Sequence, residues 1–73
     1  MAAQLQQTDL SATNAKFAKF AGANLTQAKV VLTNLFEATL DNTVLDQTDF
    51  RGSNMYGAEF LNAQINNANF EQT

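Results

Sequence analysis

The chain has 73 residues, 45% of them apolar and 15% charged, with no Cys, His, Trp or Pro. Disulfides, thiol chemistry, imidazole catalysis and zinc sites built from Cys or His are therefore excluded, and no apolar run approaches the ~20 residues of a membrane span. The net charge of −3 argues against direct binding to nucleic acid, which requires clustered Lys and Arg.

A period of five runs the length of the chain. Every fifth residue from Leu5 gives Leu5, Leu10, Ala15, Phe20, Leu25, Val30, Leu35, Leu40, Leu45, Phe50, Met55, Phe60, Ile65 and Phe70. All of these centres are large and apolar except Ala15. Two places before each centre stands Ala, Ser or Thr without exception, from Ala3 to Ala68. One place before, half are Asn or Asp: Asp9, Asn14, Asn24, Asn34, Asp49, Asn54 and Asn69.

Period five fits neither ordinary element. On a helix each fifth residue advances about 140°, so the centres would spiral around every face. On a flat strand an odd period puts successive centres on opposite sides. The chain must instead turn at every repeat, so that all centres face one axis, as in a solenoid. Spacing twenty lines up like with like: Thr13, Thr33, Ser53 and Thr73; Asn14, Asn34 and Asn54; Gln7, Gln27, Gln47 and Asn67; Ala18, Ala38 and Ala58. Spacing fifteen does not. This predicts four-sided coils, with hydroxyl and amide ladders between them. At ~4.8 Å per coil, about 3.65 turns make a rod roughly 17 Å long.

Taken in chain order, the first features are Ala15 and Phe17. The small centre leaves a gap, and Phe17 either lies outside or bends inward to fill it, making this the expected irregularity. Gly22, Gly52 and Gly57 end their pentapeptides, where corner geometry accounts for them. The acids Asp41, Asp46 and Asp49 fall on different sides without the ligand spacing a hard cation requires, so they are read as a solvated face. Outward of the centres, Lys16, Phe36 and Tyr56 share a column. With Phe17, Val31 and Leu32 nearby, the aromatics form a candidate partner-docking patch. The plainer reading is packing over a strand surface.

Charge is polarised along the chain. Residues 1–36 carry three Lys against Asp9, or +2; residues 37–73 carry six acids against Arg51, or −5. The register runs up to Thr73 with no amphipathic segment before or after it, so no terminal cap is expected. Unpaired edges at both ends would invite another chain. The expected partner is thus a protein or the chain itself, as an end-to-end homo-oligomer or beside an adjoining domain.

The segments Ala23-Asn24-Leu25, Thr33-Asn34-Leu35, Thr48-Asp49-Phe50 and Ala68-Asn69-Phe70 resemble the pentapeptide-repeat family, whose unit reads A-(D/N)-L-x-x. The resemblance covers residues 1–73 as a single domain. It implies an all-β fold, a right-handed quadrilateral β-helix of about 3.5 coils with small and large residues inward. It also implies a bacterial protein from a family abundant in photosynthetic bacteria and present in the thylakoid lumen. MAAQLQQTDL shows no secretory signal, so the cytoplasm is expected, or the lumen or periplasm had a signal been removed.

Catalysis finds no support: there is no nucleophile–base set and no phosphate loop, and a filled rod has no concave pocket. No catalytic residue, cofactor, metal or small-molecule substrate is expected. The reading favoured is a structural or protein-interaction module. The alternative implied by the resemblance is a DNA mimic acting on DNA gyrase. Duplex DNA carries one charge per about 1.7 Å, so ~17 Å of rod would need about ten negative charges, and this chain has −3. Ice binding by threonine ladders also fails, because the Thr13 column faces inward.

Overall fold

The computed structural model describes residues 3–71. The chain winds as a four-sided prism: coil 1 spans 3–22, coil 2 spans 23–42, coil 3 spans 43–62, and 63–71 begin a fourth. The residue before each centre forms a one-residue parallel bridge with its equivalent twenty places on, as in Gln4 with Asn24, Asn24 with Val44, and Val44 with Gln64. All the bridges keep the spacing of twenty. The principal extents of 26 × 21 × 18 Å make a stubby block, nearly as wide as it is long.

Three backbone hydrogen bonds per side tie each coil to the next. The N–H of a centre donates to the carbonyl before the next coil's centre, as Leu5 to Asn24 at 2.8 Å. The N–H two places after the centre also donates forward, as Gln7 to Thr26 at 2.9 Å. One bond runs back, as Asn24 to Ala3 at 2.9 Å. Most corners close a turn in which the third residue after a centre donates to that centre's carbonyl, as Ala28 to Leu25 at 2.9 Å.

Every described corner has positive φ at the second residue after the centre. Only Gly22, Gly52 and Gly57 are glycine there. Gln7, Ala12, Phe17, Gln27, Leu32, Glu37, Asn42, Gln47, Asn62 and Asn67 adopt the same left-handed backbone at φ between 54° and 62°. Positive φ at the third turn residue alone is the requirement of a type II turn. L-residues other than Gly and Asn adopt it at about 1–2 kcal/mol each. The inter-coil bonds on either side of the corner hold it there.

The core is the column of centres and the small column beside it. Leu25, Val30, Leu35, Leu40, Leu45 and Phe50 are buried with Ala23, Ala28 and Ala38. Leu5, Leu10, Phe20, Met55, Phe60 and Phe70 are only partly buried, because each has a covering coil on one side alone. Ile65 departs from the expectation of a core position. It keeps 43% of its surface exposed, since no described coil lies beyond it. The register passes Ala15 unbroken, and Phe17 lies outside, with φ of 62° like every other corner.

The hydroxyl column does not form a hydroxyl-to-hydroxyl ladder. Thr33 and Thr48 donate to the carbonyls of Leu10 and Leu25 at 2.8 and 2.7 Å, Ser53 donates to Val30, and Ser53 Oγ accepts the Thr33 N–H at 3.0 Å. Each buried hydroxyl thus finds a partner, as burial requires. Thr73 lies outside the described residues. The expected amide ladder is present from Gln7 to Gln47: Gln7 Nε2 donates to Gln27 Oε1 at 3.0 Å, and Gln27 Nε2 to Gln47 Oε1 at 2.9 Å.

Candidate interaction surfaces

The inter-coil ladder leaves one backbone N–H per side without a role, that of the residue just after the centre. The side chains before the centres supply the missing acceptors. Asp9, Asn14, Asn24, Asn34, Asp49, Asn54 and Asn69 accept from the N–H two places on, at 3.0–3.2 Å. Where that position holds another residue, the preceding coil often provides the acceptor. Ser11 Oγ takes the N–H of Val31, Asp41 takes that of Leu61, and Asp46 takes that of Asn66. Asp41, Asp46 and Asp49 are therefore backbone acceptors on separate sides. Among the described residues no three acidic, His or Cys side chains converge as a metal site would.

Among the described residues one ion pair forms on the faces, between Arg51 and Asp49. Arg51 Nε donates to Asp49 Oδ1 at 2.9 Å, and its terminal nitrogen lies 2.8 Å from Oδ2. The Arg51 hydrogen bond holds the Asp49 pKa below its ordinary value, helped by the Arg51 backbone N–H and by Lys29. Asp9 is also lowered, chiefly by the N–H and then the hydroxyl of Ser11.

The aromatic column forms a continuous stripe on the face centred on Ala15, Leu35 and Met55. Phe17 meets Phe36 edge to face at 5.8 Å, and Phe36 stacks on Tyr56 at 5.6 Å with planes 13° apart. Phe36 is half-buried, while Phe17 and Tyr56 are 59% and 72% exposed. Leu32 stands at the corner leading into this face, exposed, with its side chain over Gly52. Val31 is half-buried on the preceding face. Leu61, on another face, is as exposed as Leu32, yet sequence reasoning passed over it because its column, Ala21, Asp41 and Leu61, has no apolar pattern.

The coil ends make two further surfaces. One end shows the half-buried Leu5, Leu10, Ala15 and Phe20. The other shows Met55, Phe60, Ile65 and Phe70, with Phe70 stacked on Phe50 at 5.1 Å and Phe60 edge-on to both. No pocket opens anywhere among the described residues.

This arrangement defines a β-solenoid whose repeats stack without leaving a cavity. The family of pentapeptide repeats matches in eight copies over residues 1–35 and 33–72, and the chain belongs to that family. No curated protein matches it significantly. Among solved structures it is similar to a pentapeptide repeat protein (Rfr23) of the cyanobacterium Cyanothece 51142. The two are 18% identical with a TM-score of 0.51, over 93% of this chain and 64% of that one. A pentapeptide repeat protein from the Arabidopsis thaliana thylakoid lumen matches at 24% identity and a TM-score of 0.31, over 94% of this chain and 59% of that one. The chain thus spans less than two thirds of either relative. The fold is a right-handed quadrilateral β-helix.

Proposed function

We infer that the protein is a non-catalytic interaction module that works through the ends of its coils. The observation that carries this reading is the state of the two end surfaces: partly exposed core side chains ringed by backbone groups that no described residue pairs. Burial of such a surface against another coil gains apolar area and ladder hydrogen bonds together. The filled prism, with no pocket and no metal-ligating cluster among the described residues, is the kind of surface that binds rather than reacts. Mimicry of DNA toward gyrase has less support. The faces carry neutral amides, paired Asp49–Arg51 and an aromatic stripe rather than an acidic track.

Light scattering across a concentration series tests the reading. Mass above 8.0 kDa that rises with concentration is expected, and Tyr56→Ser should leave the rise unchanged. A monomer at every concentration, or association abolished by Tyr56→Ser, overturns it, the second result transferring the role to the aromatic stripe.

A further inference from the structure

We propose that Asn67 is a self-modification site, at which the backbone nitrogen of Ala68 displaces the side-chain amide and leaves aspartate or isoaspartate behind. Asparagine is a thermally labile residue. The nitrogen after it bonds to Cγ, the Cγ–Nδ2 bond breaks, ammonia departs with the proton of the peptide N–H, and a cyclic imide closes. One water molecule then opens the imide at either carbonyl. A folded chain slows the first step in two ways. It engages the carboxamide in hydrogen bonds, or it holds and buries the N–H that must lose its proton.

Most asparagines of the chain are restrained in one of these ways. The carboxamides of Asn14, Asn24, Asn34, Asn54 and Asn69 accept the N–H two places on. Asn66 Nδ2 donates to Asp46 Oδ1 at 3.2 Å. The corner residues Asn42, Asn62 and Asn67 remain, all exposed, all at φ of 60° or 61°, and with no side-chain hydrogen bond among the described residues. Thr43, after Asn42, is 1% exposed, and its β-branch crowds the nitrogen. Ala63, after Asn62, donates its N–H to the Phe60 carbonyl at 3.1 Å. Ala68, after Asn67, donates its N–H to nothing among the described residues.

Asn62 and Asn67 make a matched pair. They share the Asn-Ala dipeptide, the left-handed corner and a half-buried alanine. They also share the next bond back to the preceding coil, Gln64 N–H to Thr43 at 2.9 Å and Asn69 N–H to Thr48 at 3.0 Å. They differ in the turn bond. At other corners without it, a hydroxyl takes the centre's carbonyl, as Thr13 does with Leu10 and Thr43 with Leu40. The carbonyl of Ile65 receives neither among the described residues. The net worth of one such bond opens the Asn67 corner roughly two- to twelvefold more often than that of Asn62. The product places a new carboxylate at the foot of the Gln7, Gln27 and Gln47 column, and isoaspartate adds a carbon to the main chain at the corner.

Ageing of the wild-type chain in mildly alkaline buffer tests this, with and without urea. Fragment mass spectra locate each exchange of amide for acid, and chromatography separates isoaspartate from aspartate. In the native chain the product should collect at Asn67 roughly two- to twelvefold faster than at Asn62, with Asn42 behind both. In urea the two Asn-Ala sites should react alike, because only the corner distinguishes them. Equal native rates at Asn62 and Asn67, a native lead at any other asparagine, or a lead of Asn67 that persists in urea overturns the proposal. Asn67→Gln provides a second check, since Gln already occupies the same column and backbone conformation at Gln7, Gln27 and Gln47. With far-UV CD unchanged, the first acidic species on ion exchange should disappear from the aged variant. Its survival at the wild-type rate refutes the assignment.

Discussion

Truncation of Leu45 to Ala tests whether the column of centres holds the solenoid together. Leu45 is wholly buried in coil 3, between Leu25 and Ile65 in the same column. Three carbons are lost, worth about 2.4 kcal/mol of transfer free energy at ~0.8 kcal/mol per methylene. A cavity term adds to this, because the neighbours cannot close in. The Leu25 N–H is tied to the Val44 carbonyl at 2.8 Å and the Leu45 N–H to the Gln64 carbonyl at 2.7 Å, which fixes the coil spacing. The expected cost is therefore about 3–5 kcal/mol, in the upper part of the range for buried Leu→Ala. A chain of this length has about 4–11 kcal/mol in all. Leu5→Ala, at a half-buried centre with a coil on one side only, should cost about 1 kcal/mol. Urea unfolding followed by far-UV CD reads both, and with a slope near 1 kcal/mol/M the Leu45 midpoint should fall by about 3 M or vanish. Equal costs at the two positions, or less than about 1 kcal/mol at Leu45, would refute the one-column account of the core.

Other perturbations probe the corners and the faces. Asn34→Ala removes the acceptor of the Phe36 N–H and should cost about 1 kcal/mol in urea unfolding, while Asn34→Asp, which keeps the acceptor, should cost little. Gly52→Ala puts a methyl 2.7 Å from Leu32 Cδ2 at φ of 70°. It should destabilise by about 1–2 kcal/mol for the backbone alone, and adding Leu32→Ala should recover only the steric excess. Asp49 has a folded pKa below its ordinary 3.8, so its contribution to stability is full above that value and is lost as pH falls through the folded pKa. A Tm profile from pH 7 to pH 2 should therefore fall less steeply for Asp49→Asn than for the wild type.

The pentapeptide register, the inward pair of columns and the four-sided coil were legible in the sequence, because each is a statement about side-chain size at a fixed spacing. Size is what a one-dimensional string records best. The Gln7, Gln27 and Gln47 ladder was legible for the same reason, as like residues twenty apart. What escaped were assignments that depend on which backbone groups the ladder consumes. The Asn and Asp before the centres were visible as a preference, but their task follows only once the N–H after each centre is known to be the one left over. Asp41 and Asp46 look like solvated acids until the coil beyond them brings Leu61 and Asn66 within reach.

The left-handed corners were hidden for a different reason. Three glycines suggest three special positions, whereas all thirteen described corners share one backbone conformation. Phe17, Leu32 and Glu37 have no local preference for φ near 60°; the hydrogen bonds to the neighbouring coils impose it. At two corners a large residue of one coil stands against a glycine of the next. Leu32 lies over Gly52 and Glu37 over Gly57, so that a Cβ at either glycine would meet the large side chain of the coil before it. The tertiary origin of the corners also bears on the ends. Among the described residues the corners at Asn62 and Asn67 have inter-coil bonds from one side only, and Asn tolerates φ > 0 better than other L-residues. Exchange of Asn67 for a β-branched residue such as Val should therefore loosen the end surface before the core. Faster amide exchange at 63–71 with unchanged protection at 23–50 is the expected result, and uniform loosening would show that the corners are not held locally.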